Sequence, residues 1–371
     1  MQKRIDWVDK ARFYGIFWIA FGHTTYFSPE ILIKYAYSFH LALFWFIAGF
    51  VFNPKFKMTP AQVFLRNIYR YIIPYFFFGV LIYIYSLIIL TSHRPNFFTY
   101  FTNLLIVKEN QFTTPLWFLP ALFFVSTLYD YILRFSKAKY IFFSIFIFCI
   151  LVGLQVEAIS SSLKLFEETQ VFWLEAVRSY LVLFFWGVTA GFLWFGFGYF
   201  FKSSKFFNTL LNNFLKIKRY KILFLFLLLT INIALFLLFD EFDIFNGSFL
   251  SGFLGYIVTF SGIFFWLYVS NITKNNKFML YLGKNTLTIF TIHEAIFYFF
   301  QRVNEFFFYH FGFPDLFITR KKLFVEQCIS GFSLTTISLI FSIFIILLLN
   351  KYCYIFLGKM PGQKVFMNKH N

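Results

Sequence analysis

Charge is what this sequence has least of. Only 13% of its 371 residues are charged, against 60% hydrophobic, and mean hydropathy is +0.70. A water-soluble domain cannot hide that much apolar surface, so the soluble globular class is excluded and a polytopic membrane protein is indicated. Cysteine is scarce too. Cys149, Cys328 and Cys353 form no CxxC pair and stand near no histidine at metal-ligand spacing. Neither a disulfide framework nor a zinc site follows, and no metal and no tightly bound cofactor is expected. Acidic residues number 16 against 33 basic ones, a formal net charge of +17. In a soluble chain that excess would suggest nucleic acid. Here the basic residues sit mostly in short loops between apolar runs, where they set topology and meet anionic lipid headgroups, so nucleic acid is not expected. A small-residue cleavage site is missing after the first apolar run, which passes into Ser28-Pro29 and reads as a retained anchor.

Long apolar runs are what is there. A helix needs about 20 apolar residues to cross the bilayer core. Ten segments qualify: 11–28, 35–53, 70–91, 115–133, 140–157, 172–200, 222–239, 248–270, 285–308 and 325–350. The expected fold is all-α and integral to the membrane, a single domain over 1–371 with no fused soluble domain. The connections near 92–114, 201–221 and 309–324 are loop-sized. With the N-terminus in the cytoplasm, about three quarters of all Lys and Arg fall on the cytoplasmic side. That bias predicts both termini inside.

Polar residues within the runs carry the information, because each needs a partner or a cavity in hydrocarbon. Arg12 and His23 are eleven positions apart, three helical turns plus about 20°, so they share a helix face roughly 16 Å apart. Asp9 precedes Arg12 by three and is close enough to pair with it. His40, in the second span, is expected level with His23, and two imidazoles at one depth can flank a reacting hydroxyl. Arg66 and Arg70 are one turn apart and, with Arg12, make a basic mouth suited to phosphates. His293 is expected at mid-depth in the ninth span, with Glu294 following it. A carboxylate and an imidazole there read as a base and its helper, or as a polar helix-helix contact. Glu175 and Arg178 are expected to pair with each other, or to touch a substrate.

These residues together resemble the membrane acyltransferase family 3, in particular its fucose-4-O-acetylase-like branch. "VDKARFYGIFWIAFGH" is similar to the family's first-helix pattern, with Asp9, Arg12 and His23 on the matching positions. "FHLALFWFIAGFVF" places His40 on the branch's histidine, and "RNIYRYIIPYF" matches its Arg segment before Pro-Tyr through Arg70 and Pro74. "PLWFLPALF" resembles its Trp-Phe-Leu segment through Trp117, and "LGKNTLTIFTIHEAIF" its late helix through Asn285 and His293. Other branches carry a carboxylate beyond the Trp motif, which this chain lacks.

The resemblance implies a multi-pass enzyme of the bacterial inner membrane, embedded in the lipid bilayer. It would transfer acetyl from cytoplasmic acetyl-CoA to a sugar hydroxyl of a surface glycan or its lipid-linked precursor. Arg12, Arg70 and Arg66 would hold the CoA phosphates, with Asp9 and Asn285 as orienting residues. His23 would act as general base or transient acyl carrier. His40 and His293 would orient the acceptor or stabilise the thioester oxyanion. Trp117 and Trp45 are candidates for stacking on the sugar, beside Glu175 and Arg178. The competing class is a proton-coupled transporter or glycan flippase, for which intramembrane His and Glu would also serve. The paired, broken helices of such carriers are not visible, since Pro74 and Pro120 both lie in the first half.

Overall fold

The computed structural model describes residues 5–25, 27–90, 94–108, 114–134, 147, 172–182, 187–216, 221–238, 252–311 and 323–358. Among these residues the structure is helical without a strand. In chain order the helices are α1 (Asp6–Gly22), α2 (Glu30–Tyr37), α3 (His40–Val51), α4 (Pro60–Asn67), α5 (Ile73–Ile89), α6 (Phe97–Leu105), α7 (Phe118–Ile132), α8 (Phe172–Val182), α9 (Thr189–Ser203), α10 (Lys205–Leu215), α11 (Lys221–Leu238), α12 (Gly252–Ile272), α13 (Lys277–Lys284), α14 (Thr286–Phe311) and α15 (Phe324–Tyr352).

Among the described residues, six helical runs are long and apolar enough to cross a membrane: Glu30–Val51, Pro60–Ile89, Pro115–Ile132, Lys221–Leu238, Gly255–Ile272 and Phe324–Tyr352. Several expose long apolar side chains outward, as a lipid-facing surface must. On α11 these are Ile222, Leu223, Phe226 and Leu238. Of the ten expected segments, 140–157 lies outside the described residues save Ile147, and 172–200 is described on either side of 183–186. The remaining two, 11–28 and 285–308, overlap α1 and α14 and carry charged residues within their apolar runs, Arg12 in the first and Glu294, Arg302 and Glu305 in the second. Two segments expected as loops hold helices, α6 and α10. In α10 Asn208, Asn212 and Asn213 interrupt an apolar face that exposes Phe206 and Leu210, the pattern of a helix lying along an interface.

α1 is the hub, packed against α2, α3, α12, α13, α14 and α15. Its charged start is satisfied by the chain that follows α12. The Lys10 ammonium donates to the Thr273 carbonyl at 2.5 Å, Asn275 donates to Asp6 at 2.7 Å, and Tyr14 bonds the Thr273 hydroxyl at 3.1 Å. Asp6 and Asp9 also complement the positive end of the helix dipole. Helix association in lipid has no hydrophobic drive and relies on close packing at small residues. α3 and α9 meet this way. A β-carbon on Gly49 would overlap the Phe195 carbonyl, and one on Gly198 the Phe46 carbonyl.

Two irregularities position side chains. The run 30–51 breaks at Ser38 and Phe39, so His40 opens α3 instead of lying within a continuous helix. The carbonyls released by the break are taken up: His40 Nδ1 contacts Ala36 O at 2.5 Å, and Thr259 donates to Ser38 O at 2.8 Å. The second is a π-helical segment, Ile68–Ile72, between α4 and α5. Pro74 lacks an N–H and its ring would press on the Arg70 carbonyl; the wider π turn makes room.

Candidate functional site

His23 does not lie inside its helix, as the sequence suggests. α1 ends at Gly22 and His23 is the C-cap residue, with φ −84° and ψ 2°. The helix stops short of Ser28 because Thr24 turns back, donating its hydroxyl to Phe21 O at 2.6 Å and bonding the Ser28 hydroxyl at 2.6 Å. Pro29 then starts α2. The chain therefore turns at His23 and presents its ring toward α14. Arg12 stays on the same continuous helix, so the expected rise of roughly 16 Å between the two residues holds.

On α14, His293 is fully enclosed. Its Nδ1 faces two carbonyls of its own helix, Phe290 O at 2.9 Å and Ile289 O at 3.2 Å. A nitrogen facing carbonyls carries the proton, so Nε2 holds the lone pair. That Nε2 is buried and has no hydrogen-bond partner. Glu294 leaves the helix about 100° round from His293, as adjacent helical residues do, and its Oε1 lies 2.8 Å from His23 Nδ1. The same logic puts a proton on His23 Nδ1 and the lone pair on its Nε2. The His23 and His293 ring centroids are 5.0 Å apart. Both His23 and Glu294 keep about a fifth of their side-chain surface open (19% and 18%), so the pair is reachable.

The sequence pattern does not reveal the His23–Glu294 pair, because the two residues are far apart along the chain. The only hint is the 100° offset between His293 and Glu294, which obliges Glu294 to seek a partner on another helix. Nor does it suggest a metal-ligand set, yet one ligand atom each from His23, His293 and Glu294 lies within 4.8 Å of the others. His40 adjoins this group through Tyr37, whose ring centroid is 4.9 Å from His40 and 6.3 Å from His23. Gly22 permits this approach: a β-carbon there would sit 3.0 Å from the Tyr37 ring and 3.8 Å from His40. With its Nδ1 on Ala36 O, His40 resembles His293 in offering Nε2 as an acceptor. In these tautomers neither ring has an N–H to donate to an oxyanion, so the oxyanion role expected from the sequence does not fit them.

The arginines separate. Arg12 Nη1 lies 3.5 Å from Asp9 Oδ1, the expected pairing, with Asp9 buried and Arg12 partly open. Arg70 is exposed on the π segment, 5.5 Å over the Tyr71 ring. Gly358, at φ 68°, folds the chain against the Arg70 carbonyl, an approach that a side chain would block. Arg66 instead serves structure. Its Nη2 lies 3.2 Å from Asp130 Oδ2, and Asp130 is completely buried. Asp130 also accepts the Lys55 N–H at 2.6 Å, while Asn67 accepts from Arg66 and donates to Thr127. Arg66 is thus engaged in pinning the loop after α3.

The other sequence candidates lie elsewhere. Asn285 is the C-cap of α13 and donates to Tyr281 O at 2.9 Å. Trp45 is wholly buried, 4.6 Å from the Phe118 ring and hard against Gly191. Its faces are covered by protein, so it is a packing residue and no sugar platform. Trp117 is partly open and lies against Gly187. Arg178 is on α8, and the side chain of its expected partner Glu175 lies outside the described residues.

The arrangement is an imidazole held by a carboxylate, beside a buried second imidazole, at one end of a helix that carries an Asp-held arginine near its other end. It can bind an anionic group, orient a hydroxyl and move a proton. No curated protein and no solved structure matches the chain. A family model, the acyltransferase domain, matches residues 5–351 and so includes α1, α3, α14 and nearly all of α15. That match covers the His23–Glu294 pair and the Arg12 end of the same helix, and the chain belongs to acyltransferase family 3, as a membrane acyltransferase.

Proposed function

We propose that this protein is an O-acetyltransferase of the fucose-4-O-acetylase-like kind. It takes acetyl from acetyl-CoA on the cytoplasmic side and transfers it to a sugar hydroxyl of a surface glycan or its lipid-linked precursor. The observation that carries the reading is the 2.8 Å bond between His23 Nδ1 and Glu294. It fixes the tautomer and turns Nε2 toward use as a general base.

His23 Nε2 takes the proton as the hydroxyl oxygen attacks the thioester carbonyl. The C–S bond breaks, and the proton passes from His23 to the departing sulfur. The imidazolium formed in between sits beside a carboxylate and at the negative end of α1, two fields that favour it. His293 Nε2, a buried acceptor, takes a hydrogen bond from a neighbouring hydroxyl of the sugar and so aligns the reacting one; His40 serves the same edge of the site. Arg12, steadied by Asp9, and the exposed Arg70 hold the CoA phosphates. The pantetheine arm then follows α1 toward His23. Trp117 offers an apolar face for the sugar ring.

Turnover of acetyl-CoA by purified wild type and His23→Ala tests this. Loss of turnover is expected, and undiminished turnover in the mutant would overturn the role. A base leaves no acetyl on the protein in a single turnover with labelled donor. Label retained on wild type but not on His23→Ala would make His23 an acyl carrier instead. Deleting the gene should remove an O-acetyl signal from the surface glycan. Substrate uptake without thioester consumption would point to the transporter class.

A further inference from the structure

We propose that His23, His293 and Glu294 also form a binding site for a transition-metal dication, with zinc as the best match, and that its occupancy switches acyl transfer off. Two imidazoles and one carboxylate are donors that suit zinc. They are a poor set for Mg²⁺ or Ca²⁺, which require oxygen ligands. Their ligand atoms lie within 4.8 Å of one another. Ligands of one tetrahedral zinc stand about 3.4 Å apart, given metal–ligand bonds near 2.1 Å. The wider separations must therefore close by up to about 1.4 Å, while His23 Nδ1 and Glu294 Oε1, now 2.8 Å apart, open by about 0.6 Å, and the parts that must move are the two that keep open surface, His23 and Glu294.

The third ligand is already set. His293 donates its Nδ1–H to backbone carbonyls and leaves a fully buried Nε2 with no partner. Metal-ligating histidines are held in just this way, the far nitrogen bonded to a carbonyl so that the near one faces the ion. Buried acceptors normally find a donor, and this one faces a second imidazole and a carboxylate. Three protein ligands leave a fourth position open.

The switch follows from the tautomer. The ion takes the place of the proton between His23 Nδ1 and Glu294. That proton moves to His23 Nε2, the nitrogen that must be unprotonated to accept the hydroxyl proton. This consequence rests on His23 being the base; the binding itself does not.

The test uses full-length, metal-stripped protein in detergent micelles, titrated with Co²⁺. Wild type should develop the visible absorption of tetrahedral cobalt, which Zn²⁺ abolishes and Mg²⁺ does not. His293→Gln and Glu294→Gln should each weaken cobalt binding by about 10-fold or more. A wild type with no such absorption, or two variants with unchanged affinity, overturns the site. A readout that needs no variant is labelling by diethyl pyrocarbonate, followed by mass spectrometry. Zinc should protect His23 and leave the exposed His310 labelled; equal labelling of His23 with and without zinc counts against the site. Acyl transfer should fall over the zinc range that displaces cobalt. Cobalt absorption with undiminished transfer would overturn the switch and His23 as base. No absorption, with transfer abolished by His23→Ala, would overturn the metal site alone.

Discussion

Replacing Glu294 with Gln isolates the charge on which the catalytic reading depends. Gln keeps the size and an acceptor oxygen, so the His23 Nδ1–H retains a hydrogen bond and the local packing survives. What disappears is the negative charge facing the imidazolium that forms when His23 takes a proton. With the nitrogen and oxygen 2.8 Å apart, the charge centres lie about 4 Å from each other, an attraction of about 4 kcal/mol at an effective dielectric constant near 20. Both groups keep about a fifth of their surface open (19% and 18%), which screens the attraction to about 2–3 kcal/mol. At 1.4 kcal/mol per decade, kcat should fall by about 30- to 100-fold. The KM for acetyl-CoA should hold, because phosphate binding is assigned to Arg12 and Arg70. The assay is release of free CoA thiol by purified protein, with a melting curve to confirm folding. A folded Glu294→Gln variant with kcat within about threefold of wild type would refute the pairing as a catalytic device.

Arg66 and Arg70, one turn apart, should respond differently. Arg66→Ala leaves the fully buried Asp130 without its cation and should lower stability by about 3–5 kcal/mol, read as a loss of folded protein in denaturant titration. Arg70→Ala should leave stability alone and raise the KM for acetyl-CoA by about 10-fold, the loss of one charge-assisted contact; an unaltered KM would remove Arg70 from the donor site. Asn232→Leu should loosen α11, which is held by Tyr35 donating to Asn232 at 2.7 Å and Asn232 donating to Ser261 at 2.8 Å. A loss of about 1–3 kcal/mol is expected in SDS unfolding, and a change below about 0.5 kcal/mol would mean that lipid and packing alone seat the helix. Gly49→Ala should push α3 off α9, since its β-carbon meets a backbone carbonyl that cannot rotate away. A melting temperature equal to wild type would show that the backbones part without penalty.

The sequence by itself determined the class. Few charges and long apolar runs leave no alternative to membrane helices, since hydrocarbon forces backbone hydrogen bonds inside each segment. Helical spacing also determined local relations. The Asp9–Arg12 pair and the span between Arg12 and the His23 end of its helix follow from neighbours at three residues and a rise of 1.5 Å. Small-residue contacts, loop helices and helix ends were less legible, because each depends on what packs opposite. Only the tertiary structure decided which polar groups meet. Arg66 and Arg70 look equivalent in sequence, yet one is spent on Asp130 and the other is exposed. Trp45 reads as a sugar platform until α9 and Phe118 cover it. His23, His293 and Glu294 come from opposite ends of the chain, and α1 had to stop at Gly22 for them to converge. Local spacing fixes what one helix presents; the partner on another helix is set by packing, which no single segment encodes.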